Sequence, residues 1–464
     1  MIKILVLFVA LGALLPFALW LRGGDVFGKR IWILVGFLPF VLPAAPQLDI
    51  ALVSWGLDWP GLVNGLEVTV IDVLAVALLL GQPRRRGGAA FGLLLLLYLG
   101  AVVLSMLQAD EPVAASFYVW QFCRAALLLI VVARACSDAV ALDNLLTGMA
   151  FGLLLEALFV IWQRLALGVV QTSGTFYHQN TLGLVTHLVL FPQAALLLAG
   201  ARSGRAFAAT LAGIVVVVLT TSRAALLYAG LGLALIYAVS ALRHWTLRKG
   251  LVGLGGGLVL LAMLPAVIHS FEKRFEANPL TEDEYDERAA FERSAAFILH
   301  DHPLGVGANH YVYMAKNFGY SDRAGVAPFE GSRSNIVHNV YWLTAAETGY
   351  AGLVAFTLML AYPLVAALSV GWRTRGSPRG DLLLGLGVGL LMIYAHSSLE
   401  YVLISKEAQY IHAMAVGVIL GMLSGAVARA EAPAPTPLPA PLPAPLPAPL
   451  PDLVAERAPR PSGA

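Results

Sequence analysis

The chain has 464 residues, of which 59% are hydrophobic and 12% are charged, and its formal net charge is +2. Its mean hydropathy of +0.77 excludes a soluble globular domain. Only helices or closed barrels satisfy their backbone in the ~30 Å hydrocarbon core of a membrane, and the long apolar runs of this chain predict an all-α, polytopic integral membrane protein.

Apolar stretches of membrane-spanning length recur from the N-terminus to residue 426. We predict about 13 spans, or about 12 if one N-terminal segment does not cross. The first stretch lacks a small-residue cleavage site, so we interpret it as a span and not as a removed signal peptide. In chain order the predicted spans are residues 2–20, 31–53, 63–80, 91–107, 116–132, 145–165, 182–199, 207–219, 224–242, 251–268, 351–370, 382–396 and 408–426.

Basic residues in short loops predict the orientation of the spans, because Lys and Arg next to a span are retained in the cytoplasm. The basic loops are residues 82–88, 201–206, 243–250 and 371–380. Alternation of spans then puts the intervening loops on the outer, periplasmic side. These outer loops are residues 108–114, 168–179, 220–223, 271–335 and 397–405. The same alternation leaves Lys3 outside, so the N-terminal topology stays open.

One long polar segment, from residue 271 to about residue 335, interrupts the apolar pattern. In a protein embedded in lipid such a segment must lie in water on one face, which makes it the expected place for chemistry. We therefore divide the chain into N-terminal transmembrane helices (1–144), a membrane domain (145–427) that includes a long periplasmic loop (271–337), and a tail (428–464).

The tail is a separate, disordered cytoplasmic region in this interpretation. From residue 433 to residue 451 proline recurs at every second position, which forbids helix and sheet and favours an extended polyproline form. Two functions stay open for it. It is a flexible spacer, or it is a ligand for an aromatic groove on a partner protein.

For the cysteines, the acidic residues within spans and one acidic run we predict structural roles. Cys123 lies in a predicted span and Cys136 on the cytoplasmic side, so we expect no disulfide. Asp72 and Glu156 lie within spans and are predicted to be paired in the bundle interior. The acidic run 282–287 could hold a divalent cation, but it lacks the spaced ligand pattern of a calcium site. We expect a solvated loop there, and neither a metal nor a cofactor.

Four polar motifs, far apart in the sequence, are predicted to meet on the outer side. They are GTFYHQN (174–180), TSR (221–223), Arg288 before DHPLGVG (301–307), and HN (338–339) before ETG (347–349). In this order and at these spacings they resemble the motifs of the O-antigen ligase and polymerase superfamily of bacterial membrane glycosyltransferases. The resemblance covers residues 145–426, so that the membrane domain is O-antigen ligase-like.

Arginine suits the donor that this resemblance implies, a glycan carried on undecaprenyl diphosphate. A guanidinium binds two phosphate oxygens at once, in bidentate fashion, and stabilises the negative charge that develops on a leaving diphosphate. We predict this role for Arg223 and Arg288, with Arg293, Arg124 and Arg164 as further donor-binding candidates. The alternatives are a helix-end anchor for Arg223 and a solvated loop charge for Arg288.

His338 is the candidate general base, because its unperturbed pKa of ~6.5 lets it take a proton from an acceptor hydroxyl. The resemblance also implies a catalytic role for this residue, and a structural histidine at a helix start is the alternative. His178, Asn180 and Asn339 are predicted to position the substrate, or in the case of Asn180 to cap its helix. Glu347 follows His338 by nine residues, which puts it on the opposite face of a helix and argues against direct contact.

The resemblance thus predicts a metal-independent, inverting glycosyltransferase of the bacterial inner membrane with its active face in the periplasm. The acceptor is left open: another lipid-linked repeat for a polymerase of O-antigen or exopolysaccharide, a lipid A core sugar for an O-antigen ligase, or a protein hydroxyl. The HQN in the first motif resembles the HxN turn of exopolysaccharide polymerases and slightly favours that reaction. The expected partners are the lipid-linked glycan, the acceptor, membrane lipids and a chain-length regulator, but no nucleic acid.

A flippase or transporter of lipid-linked oligosaccharides is the alternative from another class. It would also need many spans and positive groups. Flippases place charges along a central cavity through both halves of the bilayer, however, and need no long outer loop. Because the polar motifs here gather on one predicted face, the sequence favours an enzyme.

Overall fold

A computed structural model describes residues 2–22, 26–82, 89–277, 282–374, 376–430 and 463. The Pro-rich tail, residues 83–88 of the first basic loop and the side chains of residues 282–286 fall outside what is described. The elements are, in chain order, α1 (Ile2–Arg22), α2 (Val26–Val41), β1 (Asp49–Ser54), β2 (Gly65–Thr69), α3 (Val70–Gly81), α4 (Ala89–Ser105), α5 (Pro112–Ala135), α6 (Ala139–Leu165), α7 (Gln179–Ala199), α8 (Ser203–Thr220), α9 (Arg223–Arg243), α10 (Leu247–Ala277), α11 (Glu282–Asp301), α12 (Tyr311–Asn317), α13 (Tyr320–Ala324), α14 (Glu330–Arg333), α15 (Val340–Arg373), α16 (Pro378–His396) and α17 (Lys406–Ala430).

The architecture is a bundle of long apolar helices. Within the described part of the chain, nine helices are long and apolar enough to cross a membrane: α4 to α9 and α15 to α17. α1, α2, α3 and α10 coincide wholly or partly with the remaining predicted spans. The prediction of an all-α, polytopic membrane protein is confirmed.

Two predicted spans are wrong in part. α2 and α3 cover only portions of spans 31–53 and 63–80, because the chain between them forms the antiparallel hairpin β1–β2. Pro43 and Pro46 lie in two short 3-10 turns directly after α2, and proline cannot continue an α-helix. The apolar side chains that suggested longer spans therefore belong partly to a hairpin at one end of the bundle.

Polar contacts tie the basic loops together at one end of the bundle. The Nη2 of Arg248 donates to the Oγ of Ser203 at 2.5 Å, which joins the start of α10 to the start of α8. The Nη1 of Arg243 lies 2.9 Å from the Oδ1 of Asp381, which joins the end of α9 to the start of α16. Three of the predicted basic loops therefore meet on the same side, as the positive-inside prediction requires. We call this side the basic end.

The opposite side, which we call the site end, carries the predicted polar segment. That segment is largely helical in the described residues, from the last turns of α10 through α11 to α14. α11 packs against α15 and buries Phe291, Ala295 and Ile298, which share one face of the helix because they are four and three residues apart. The predicted long loop is therefore a folded helical cap on the bundle in its described residues.

α7 is the central helix of the bundle. All of its residues from Leu182 to Leu198 are buried, and it packs against α8, α9 and α16. Its first turn, with Asn180, lies at the site end. Side chains that project from this turn are thus held by the most enclosed helix of the bundle.

Candidate active site

A buried carboxylate at the site end joins three distant segments of the chain. Glu400, in the loop after α16, accepts a hydrogen bond from the Nδ2 of Asn180 at the start of α7, at 2.6 Å. The Oε1 of Glu400 also lies 3.7 Å from the Nη2 of Arg288 on α11. The Glu400 side chain is 6% exposed and that of Arg288 is 43% exposed. The guanidinium therefore reaches the surface while its carboxylate partner is enclosed.

His338 lies next to this cluster, two residues before the start of α15. Its ring lies between those of Phe291 and Tyr401, with centroid distances of 6.1 and 5.6 Å. Its Nδ1 is buried and has no hydrogen-bond partner among the described residues. An uncharged imidazole keeps one unprotonated ring nitrogen, which can accept a proton.

Burial sets the charge of both titratable groups. It lowers the pKa of His338 to about 4, and the nearby positive groups of Arg288 and His178 act in the same direction. Burial also raises the pKa of Glu400 to about 7, although Arg288 and the hydrogen bond from Asn180 oppose this. At neutral pH His338 is therefore an uncharged imidazole, the form that accepts a proton.

The turn before α7 is built by two side chains of α6. The Oε1 of Gln163 accepts from the backbone N–H groups of Ser173 and Gly174, at 3.1 and 2.9 Å. The carboxylate of Glu156 accepts from the backbone N–H and the hydroxyl of Thr175, at 2.9 and 2.6 Å. Glu156 thus has a structural role, as predicted, but its partner is the neutral Thr175 rather than a charged side chain, and the GTF part of the first motif is structural as well.

His178 and Asn180 make different contacts at the start of α7. His178 is the N-cap residue, since its Nδ1 accepts from the backbone N–H of Asn180 at 3.2 Å. The alternative in which the Asn180 side chain caps the helix is wrong, because His178 holds the N-cap position and Asn180 is the second residue of the helix. The structure therefore places both residues at the cluster, with His178 exposed and Asn180 partly buried.

The DHPLGVG and ETG motifs are hydrogen-bonded to each other, and we call this arrangement the lock. It positions α11, which carries Arg288, against α15, which begins just after His338. Gly349 interrupts α15 with φ 69° and ψ −173°, a conformation that only glycine adopts readily. The carbonyl groups of Ala346 and Glu347, freed by this break, accept from the N–H groups of Val306 and Gly307 at 3.1 and 3.0 Å. α11 ends directly before this loop, so the lock fixes it against α15.

The side chain of Glu347 completes the lock. Its Oε1 accepts from the backbone N–H of Tyr311 at 3.1 Å, at the start of α12. The Tyr311 hydroxyl in turn donates to the carbonyl of Phe291 on α11, at 3.0 Å. Glu347 therefore acts on the cap, and its side-chain hydrogen bonds within the described residues do not involve His338, in agreement with the helix-face argument.

Arg223 is the first residue of α9, at the site end. The hydroxyl of Ser222 caps this helix by accepting from the N–H of Ala225 at 3.4 Å. The start of α9 lies against α7, where a Cβ on Gly183 would lie 2.6 Å from the Cβ of Ala225. Gly183 is about one turn beyond Asn180, so Arg223 begins its helix on the same side of the bundle as the Glu400 cluster.

Arg124 and Arg164 have structural partners. The Nη1 of Arg124 lies 3.0 Å from the Oδ2 of Asp72 and donates to the Tyr410 hydroxyl at 3.2 Å, inside the bundle. This confirms the predicted pairing of Asp72. The Nη1 of Arg164 donates to the backbone carbonyl of Val170 at 2.8 Å, in the loop before α7.

Arg293 and Asn339 also make contacts that stabilise the cap. Arg293 donates from its Nη2 to the carbonyl of Ala324 at 3.0 Å, at the end of α13. Asn339 caps α15 through its Oδ1, which accepts from the N–H of Tyr341 at 3.1 Å, and its Nδ2 donates to Glu292 at 3.0 Å. These contacts hold backbone and helix ends next to the cluster, while Arg288, His338, His178 and Asn180 form the cluster itself with Glu400.

Glu400 is the site residue that the sequence reasoning missed, together with its neighbour Tyr401. Both lie in loop 397–405, which was predicted to be on the outer side. The available signal was a carboxylate in a short outer loop opposite several arginines and histidines. It was not specific, because many loop carboxylates are simply solvated.

Comparison with known proteins agrees with this geometry. Residues 208–357 match the O-antigen ligase family. A search of curated proteins found no match. The matched region contains Arg223, Arg288 and His338, together with both halves of the lock. Residues 208–357 thus form an O-antigen ligase family domain, which confirms the resemblance to the O-antigen ligase and polymerase superfamily over that region.

Proposed function

We propose that this protein transfers a glycan from undecaprenyl diphosphate to an acceptor hydroxyl, at the periplasmic face of the bacterial inner membrane. The family domain supports an enzyme of this general type. The observation that carries the specific proposal is that a surface-reaching Arg288, paired with Glu400, lies near an uncharged His338 at one end of the bundle. The positive-inside rule puts the basic end in the cytoplasm and hence the site end in the periplasm.

In the proposed reaction, the acceptor oxygen attacks the anomeric carbon of the donor while the bond from that carbon to the diphosphate oxygen breaks. The imidazole of His338 takes the proton of the acceptor hydroxyl. The diphosphate leaves with the bonding electron pair, and Arg288 and Arg223 stabilise its added charge. Attack from the side opposite the leaving group inverts the anomeric centre. The reaction as proposed needs no metal ion.

Glu400 has a positioning role in this proposal. It anchors the guanidinium of Arg288 and the amide of Asn180 without reaching the surface. When the donor diphosphate arrives, its negative charge competes with the carboxylate for Arg288. A carboxyl group with a pKa of about 7 can take up a proton at that moment and release the guanidinium to the substrate.

The acceptor class distinguishes three versions of the proposal. A lipid-linked repeat as acceptor makes the protein a polymerase, which would work with a chain-length regulator. A lipid A core sugar makes it a ligase, and a protein hydroxyl makes it an oligosaccharyltransferase. The HQN turn slightly favours the exopolysaccharide polymerase.

Complementation of a gene deletion tests the function and separates these versions. Wild type, Arg288→Ala, Arg288→Lys and His338→Ala are expressed at equal membrane levels, and surface and lipid-linked glycans are resolved by gel and mass spectrometry. We expect no rescue by the alanine variants and partial rescue by lysine, which keeps the charge but not the planar fork. Accumulated single repeats indicate a polymerase and accumulated long glycans a ligase. Full rescue by both alanine variants would overturn the catalytic assignment and favour a flippase.

A further inference from the structure

An apolar groove lies at the basic end of the bundle, far from the Glu400 cluster along the helices. Its volume is about 410 Å³, and α7, α9, α15 and α16 contribute its walls. Among the residues that line it are Leu235, Ile236, Val239, Leu368 and Trp372. Leu235 is 37% exposed and Trp372 is 47% exposed, so the groove opens on the side of the bundle that faces lipid. We call it the inner groove.

The inner groove ends in a polar corner that is also part of its lining. Arg243 and Asp381 form an ion pair there at 2.9 Å, and the Arg243 side chain is only 12% exposed. The Nε of Arg243 is buried and has no hydrogen-bond partner among the described residues. A guanidinium has five donor hydrogens, so this pairing leaves Arg243 able to bind a further acceptor.

The charges around this corner are mainly positive. Lys249 donates from its Nζ to the carbonyl groups of Ser240 and His244, at 2.8 and 2.7 Å, and Ser240 lines the groove. Two positive side chains, those of Arg243 and Lys249, thus lie near one negative side chain, that of Asp381. The corner therefore attracts an anion.

We propose that the inner groove binds one anionic glycerophospholipid of the cytoplasmic leaflet. An acyl chain fits the apolar walls, which open to lipid, and the phosphate accepts hydrogen bonds from Arg243 at the polar corner. The positive-inside rule puts this corner at the cytoplasmic surface, and basic pockets between membrane helices on that side suit anionic headgroups. This site is separate from the glycan-transfer site and does not depend on the proposed function.

Bound phospholipid would stabilise the packing of the helices that line the groove. α9, α15 and α16 line the inner groove, and their opposite ends lead to Arg223, His338 and Glu400. A ligand that binds only the folded protein stabilises it in proportion to its affinity. We therefore expect the melting temperature of the whole bundle to rise when the groove is filled.

The test uses full-length protein purified in a detergent without phospholipid. Phosphatidylglycerol, phosphatidylethanolamine or phosphatidylcholine is titrated in, and binding is followed by native mass spectrometry and by thermal unfolding. We expect phosphatidylglycerol to bind about tenfold more tightly than the two zwitterionic lipids. Its headgroup has a net negative charge, whereas the positive amine of each zwitterionic headgroup offsets the attraction of the phosphate to Arg243. It should also raise the melting temperature more than either of them.

Variants locate the site. Val239→Trp fills the groove and should abolish the phosphatidylglycerol complex, whereas Leu231→Trp, at an exposed position on the same helix, should not. The double variant Arg243→Gln with Asp381→Asn removes both charges of the pair and should abolish the preference for phosphatidylglycerol. If Val239→Trp does not fold, this double variant alone still tests the site.

Three results would overturn the proposal. One is the absence of a phospholipid complex in the wild-type protein. Another is equal binding of the three lipids, or a preference that the double variant keeps. The third is displacement of phosphatidylglycerol by undecaprenyl phosphate at equal concentration, which would mean that the groove holds a polyprenyl chain instead.

Discussion

At the scale of single residues, burial acts in opposite directions on the pKa values of His338 and Glu400. It disfavours the charged form of each, so it lowers the pKa of His338 to about 4 and raises that of Glu400 to about 7. Arg288 keeps its charge throughout. At neutral pH the site therefore presents a permanent cation, an uncharged base and a carboxyl group near its titration point. This is a suitable combination for binding a diphosphate and removing a proton.

Replacement of His338 tests the base. We expect His338→Ala to lower the rate of glycan transfer by about 10²- to 10⁴-fold, the range that a positioned general base contributes. Donor binding should change little, because Arg288 and Asn180 remain. His300→Ala is the matched control, since this histidine lies in the same cap and its side chain is 82% exposed. An unchanged rate for His338→Ala would mean that this histidine is only structural.

Replacement of Glu400 tests the competition for Arg288. In the wild type, deprotonation of Glu400 as the pH rises through about 7 adds a negative charge beside the donor diphosphate. The KM for the donor should therefore rise with pH, by up to about tenfold per unit above 7. Glu400→Gln cannot titrate and should flatten this dependence, whereas Glu330→Gln, on the exposed surface of α14, should keep it. A KM that falls as the pH rises would contradict this role.

The same pKa values predict the pH dependence of stability. A folded-state pKa of Glu400 above its ordinary value of 4.5 means that the folded protein binds more protons between pH 4.5 and about 7. Its contribution to stability is present below pH 4.5 and is lost as the pH rises through about 7. For His338 the folded-state pKa of about 4 lies below the ordinary 6.5, so stability is lost as the pH falls from 6.5 towards 4. Glu400→Gln and His338→Ala should each lose one of these dependences in thermal melts.

At the scale of elements, the lock between the DHPLGVG loop and the break in α15 positions the catalytic candidates. Glycine is required there for two reasons. Gly349 has a conformation that other residues avoid, and a Cβ on it would overlap the carbonyl oxygen of Pro303. Gly305 is similarly enclosed, since a Cβ there would overlap the carbonyl oxygen of Glu347. The glycines of these motifs are therefore required for the backbone conformation, and the proposed catalytic groups are on other residues.

Substitution at the lock should destabilise the protein. Gly349→Ala should lower the free energy of unfolding by about 1–3 kcal/mol through backbone strain. The overlap of the new Cβ with Pro303 should lower it further. Gly230→Ala is the matched control, because that glycine lies in the middle of α9 with open space around it, and alanine there favours the helix by roughly 0.5–1 kcal/mol. Thermal unfolding in detergent measures both. Equal melting temperatures for the two variants would show that the lock is not strained by a side chain.

The sequence predicted the long helices well, because continuous apolar runs have few alternatives in a membrane. It failed where apolar residues occur in another structure, as in the hairpin after Pro43 and Pro46, and where a polar segment buries one helical face, as α11 does. For the site, Arg288 and His338 could be proposed from their motifs. Glu400 could not, since its importance comes from burial beside Asn180 and Arg288, which are distant in sequence.

At the scale of the whole molecule, the bundle has two chemically different ends. Arg243, Arg248 and Ser203 belong to the basic end, and the cap with the Glu400 cluster forms the site end. In the proposed orientation, which follows the positive-inside rule, the cap lies in the periplasm. The proposed donor site and the proposed phospholipid site then lie in opposite leaflets.

Cysteine labelling tests this orientation. Leu304→Cys places a thiol at the site end and Trp245→Cys at the basic end, where the native side chains are 66% and 62% exposed. Cys123 and Cys136 are first replaced by alanine. A membrane-impermeant maleimide should label Leu304→Cys from the periplasmic side of intact spheroplasts, and Trp245→Cys only in inverted vesicles. The reverse pattern would place the proposed site in the cytoplasm and exclude a periplasmic reaction.

Transfer by the purified protein tests the central claim most directly. Full-length protein is incorporated into vesicles and supplied with an undecaprenyl-diphosphate-linked glycan and a candidate acceptor, with and without a chelator. We predict release of undecaprenyl diphosphate in step with a new glycosidic product, unaffected by the chelator, retained by His300→Ala and lost in His338→Ala and Arg288→Ala. Movement of the intact lipid-linked glycan across the vesicle membrane, with no glycosidic bond broken or formed, would contradict the account.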